Sequence, residues 1–122
     1  MEENETNQED SILTSIKKML GISSDNTDFD TDIIIHINTV FGILNELGVG
    51  PSSGYMITDA NNTWADYGIS DDNNLNAVKS YMYLKVKMLF DPPITSAIQN
   101  ANTQLINELE WRLNIHSENK EV

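Results

Sequence analysis

Apolar residues recur along this chain with the 3.6-residue period of helices, and glycine, proline and Asp/Asn clusters interrupt them. Ile12, Ile16, Met19 and Leu20 mark a first helix over residues 11–20. Lys17 and Lys18 occupy its last turn, where cations suit the helix dipole, and Gly21 follows. After a polar stretch, Asp30 or Thr31 is placed to cap a longer helix with the stripe Ile33, Ile37, Val40, Phe41, Leu44 and Leu47. The run Ile33-Ile34-Ile35 would equally suit a strand. Helix is chosen because the period continues to Leu47 and stops at Gly48, a residue suited to a left-handed cap.

Residues 51–75 break any long period and read as a loop-rich excursion. Within it, Tyr55-Met56-Ile57 suits a short extended piece, and residues 63–67 suit one helical turn that drops Trp64 onto the core. A third long helix spans residues 74–90, with Leu75, Val78, Met82, Val86 and Leu89 on the core face. Asp91, Pro92 and Pro93 form a rigid corner, because proline lacks an amide donor and pushes its predecessor out of the α region. Ser96 to Gln99 then fits a capping box, and Ile98, Ala101, Leu105, Leu109 and Arg112 or Leu113 form the stripe of a last helix ending near Leu113. The predicted fold is mainly α: a compact bundle of about four helices, with a long loop between the second and third long helices.

Composition narrows the chemistry. The 122 residues include no cysteine, which excludes a disulfide framework, a thiolate metal site and a cysteine nucleophile. A net charge of -12 disfavours a surface that grips nucleic acid through its phosphates. No apolar run is long enough to span a membrane, and Glu2, Glu3 and Glu5 replace the basic and apolar start of a secretory signal, so synthesis in the cytosol is expected. Residues 1–10 are expected to be a disordered acidic arm and residues 116–122 a flexible tail, since neither has apolar surface to offset its ordering entropy; residues 11–115 form the single domain.

No catalytic residue, metal ligand or cofactor is assigned. His36 and His116 lack a companion at helical spacing, and the Asp25, Asp28, Asp30, Asp32 cluster fails as a calcium loop. Counted from Asp28, Ile33 stands where glycine is needed and Thr39 where glutamate is needed. The surplus lies elsewhere: Tyr81, Leu84 and Met88 add a second apolar stripe to the third helix, more than a small monomer is expected to cover. With Lys85 beside them, and with Trp111 and Arg112 about 100 degrees apart on the last helix, they form a candidate subunit interface. A small acidic helical binding module, or a nucleic-acid mimic acting on a partner protein, is the alternative.

The order of these signals resembles a known family. Tyr81-Met82-Tyr83-Leu84-Lys85-Val86-Lys87-Met88-Leu89-Phe90-Asp91-Pro92-Pro93 and Glu108-Leu109-Glu110-Trp111-Arg112-Leu113-Asn114, with the helices before them, look like the small head-tail connector proteins of tailed bacteriophages, also called head completion or adaptor proteins. The resemblance covers about residues 11–114. It implies a non-enzymatic virion protein that forms a ring of about twelve copies under the portal. Its implied partners are itself, the portal protein and a stopper or tail protein. DNA would pass through the ring without specific binding, and the chain would reside in the host cytoplasm during assembly and then in the virion.

Overall fold

The computed structural model describes residues 10–121, with side chains described through residue 118. Most of the acidic arm, residues 1–9, lies outside that range. Five helices make up the described chain: α1 (Ile12–Met19), α2 (Asp30–Glu46), α3 (Trp64–Tyr67), α4 (Asp72–Phe90) and α5 (Ser96–Glu121). Among the described residues there is no strand, and Ser11 and Thr63 form one isolated antiparallel bridge.

Local chemistry sets most boundaries. Ser11 caps α1, its hydroxyl accepting from the Thr14 amide, and Asp71 caps α4, accepting from the Asn73 and Asn74 amides. Thr63 and Asp66 form a reciprocal capping box on α3, the predicted turn that buries Trp64. The isoleucine run is helical as expected, and Gly48 follows α2 at φ 84. Neither residue expected to cap α2 does so. The helix begins after Phe29, and Asp30 instead pairs at 2.8 Å with Lys17 of α1, whose buried ammonium also donates to the Ser24 carbonyl.

In the loop between α2 and α3, Asn38 of α2 substitutes for a strand partner. Its side chain donates to the Ile57 carbonyl (3.0 Å) and accepts from the Ile57 amide (2.8 Å), which lets Ile57 enter the core without a sheet.

Helix α4 is the centre of the molecule, packed against α1, α2 and α5. That position corrects two expectations. Tyr81 and Leu84 are not surface residues: they are 0% and 8% exposed, because neighbouring helices cover more than one side of α4 within a single chain. Leu89, expected in the core, is 48% exposed at the C-terminal end of α4. The last helix differs as well. It rests on Ile106, Leu109 and Leu113, while Ile98, Ala101 and Leu105 of the expected stripe are exposed. Gln99 does not complete a capping box but donates to the Pro93 carbonyl. Nor does α5 end near Leu113, because the tail expected from residue 116 is helical through Glu121, and Ser117 donates to the Gly48 carbonyl at 2.7 Å.

Candidate assembly surface

The corner between α4 and α5 presents several of the apolar groups that the core leaves out. Asp91 leaves helical geometry at φ -150, ψ 71, and its carboxylate closes back on Lys87 of the preceding turn at 3.0 Å. Pro92 and Pro93 carry the chain round, and Ile94 beyond them is 98% exposed. Ile98 and Leu105, two turns apart on one side of α5, stay about half exposed. Leu89 stands on the other side of the corner, and next to it Phe90 packs edge-to-face on Phe29, ring centroids 5.5 Å apart.

A second exposed group lies farther along α5. Trp111 is 65% exposed, and Arg112 is held at 2.9 Å by Glu108 one turn earlier. Glu110 turns inward and accepts from the Tyr81 hydroxyl at 2.7 Å. Burial, followed by the hydrogen bond to the Glu110 carboxylate and the charge it carries, pushes ionisation of the Tyr81 phenol far above its ordinary range. Of the residues expected at an interface, the fold therefore brings Trp111 and Arg112 to the surface, leaves Lys85 and Met88 partly covered, and removes Tyr81 and Leu84. Sequence reading missed Leu89, Ile98 and Leu105 as surface groups because it assigned all three to the core.

A family model described as phage connector protein matches residues 12–120. This chain belongs to that family. The expected resemblance is thereby borne out, and phage connectors are structural proteins of the head-tail junction. Searches of curated proteins and of solved structures gave no match.

At its opposite end, the connector closes the C-terminal turns of α5 over the end of α2. Asn114 donates to the Leu47 carbonyl and Ser117 to the Gly48 carbonyl, answering acceptors that the helix end leaves free. A cleft of about 420 Å³ beside these bonds is lined by Gly50, Tyr67, Leu113 and His116. Gly50 is required there: it sits at φ +86, and a Cβ would stand 2.6 Å from the Tyr67 hydroxyl oxygen. His116 lies 3.8 Å from Asp71, the α4 cap, and His36 packs beside Phe90. Among the described residues no cluster of histidine and carboxylate side chains is arranged to hold a metal.

Proposed function

We propose that this connector works by assembling into a closed ring of about twelve copies under the portal, joining the DNA-filled head to a stopper or tail protein. The single observation that carries this reading is exposed apolar surface on a strongly acidic chain: Leu89, Ile94 and Ile98 at the corner, Leu105 two turns along α5, and Trp111 on a different side of that helix. A ring needs two different patches per subunit, because each copy must offer its neighbours unlike faces. Trp111, Arg112, Lys85 and Met88 remain on the surface as subunit or portal contacts. The work is mechanical, using binding energy to build and dock a passage. A negatively charged lumen repels phosphates and lets DNA move without holding it.

Native mass spectrometry of the purified chain, with and without the portal protein of the same phage, tests this. A ring-sized species on addition of portal is expected. A chain that stays monomeric and ignores the portal refutes the reading.

A further inference from the structure

We propose that copies of this connector join by seating Trp111 of one subunit on the charge-free face formed by Ile94, Ile98 and Leu105 of the next. This rests on the ring reading and names the surfaces that would close the ring.

Charge selects the occupant of that face. The chain carries a net charge of -12, so two copies repel wherever their acidic surfaces meet. Residues 92–107 contain no charged side chain, yet include three exposed or half-exposed large hydrophobic side chains: Ile94, Ile98 and Leu105. The charges that bound this stretch are already paired within the chain, Lys87 with Asp91 at 3.0 Å and Arg112 with Glu108 at 2.9 Å. A second copy of the same acidic chain can therefore approach here without like charges opposing it.

Trp111 is the matching anchor. It is 65% exposed, and the ionic groups on either side of it are engaged within the subunit, Glu110 by Tyr81 and Arg112 by Glu108. Burying the indole thus orphans neither flanking charge, the outcome that makes buried ionic groups costly. Trp111 is six positions after Leu105, placing them about 120 degrees apart around α5 and about 9 Å apart along it. One subunit can use both patches at once, as a head-to-tail contact requires. Met56 and Ile35, 67% and 57% exposed, are rival seats, but Met56 stands among polar Ser52, Ser53 and Thr58, and Ile35 stands one turn from Asp32 on α2.

Because the chain lacks cysteine, single introduced thiols report the contact without background. Ala101→Cys marks the charge-free face, and Ile115→Cys, one turn beyond Trp111, marks the anchor. Under mild oxidation with the portal protein present, a mixture of the two full-length variants should give a disulfide-linked dimer that neither gives alone. Adding Trp111→Ala to the Ile115→Cys chain should lower its yield at least about tenfold. Dimer from Ala101→Cys alone would mean a two-fold contact and overturn the proposal. So would absence of the mixed dimer while circular dichroism shows both variants folded. If the unmodified chain still forms a ring with portal, this failure leaves the ring reading standing.

Discussion

Replacing Tyr81 by phenylalanine decides between a buried and a surface role for the residue on which the two readings of this chain differ most. Tyr81 has no exposed surface, and the substitution keeps its ring, so no cavity opens. What is lost is the hydrogen bond to Glu110 at 2.7 Å. Bonds to charged partners contribute about 1.5–3 kcal/mol, and a half-buried carboxylate recovers some hydration by itself, so a loss of about 1.5 kcal/mol is expected. For a domain of this size that lowers Tm by about 5 °C. Urea denaturation followed by circular dichroism should show a lower midpoint with an unchanged slope.

The pH dependence sharpens the test. The folded state holds the Tyr81 proton above the ordinary value near 10, chiefly through burial, so the unfolded chain loses this proton first as the solution becomes alkaline. The contribution is intact below about pH 10 and falls above it by about 1.4 kcal/mol per pH unit for each such group. Burial raises Tyr67 and Tyr55 in the same direction. Tyr81→Phe should flatten the alkaline decline by one group while leaving assembly intact. An unchanged urea midpoint combined with weakened self-association would refute the buried assignment.

Other substitutions probe the connections that hold the surface in place. Gly50→Ala must adopt φ +86 with its Cβ against the Tyr67 hydroxyl, and should cost about 2 kcal/mol or more in thermal melts; an unchanged Tm would refute the close approach. Asn38→Ala leaves both polar groups of the Ile57 backbone without their side-chain partner and should cost about 2–3 kcal/mol, with faster amide exchange at Ile57. Exchange at that amide equal to the parent's would show that another group holds the loop. Ser117→Ala removes the bond to Gly48, and should speed exchange in the last turns of α5 while shifting the global midpoint by less than about 1 kcal/mol.

Several helix boundaries were legible where a residue acts on its own backbone. Gly48 and the Asp91-Pro92-Pro93 corner end their helices through backbone conformations that their residue types favour, so sequence and structure agree there, whereas the Thr63 and Asp66 capping box went unread and the box expected at Ser96 to Gln99 did not form. Agreement ends where a side chain finds a distant partner. Asp30 reads as a cap but serves Lys17, and Asn38 reads as an unremarkable helix residue but holds Ile57 across nineteen positions. Neither pairing leaves a periodic trace.

The candidate surface shows the same division more sharply. Periodicity fixes which residues share a side of a helix, and the sequence by itself determined a helical, acidic, cysteine-free domain with more apolar faces than polar solvent favours. Only the tertiary arrangement decided which of those faces is hidden. With α4 at the centre, Tyr81 and Leu84 are covered, and α5 rolls onto Ile106, Leu109 and Leu113, leaving Ile98 and Leu105 outside. The physical reason is that burial belongs to pairs of elements: a stripe is core or surface according to what packs against it, and that partner is set by how the whole chain closes, not by the stripe.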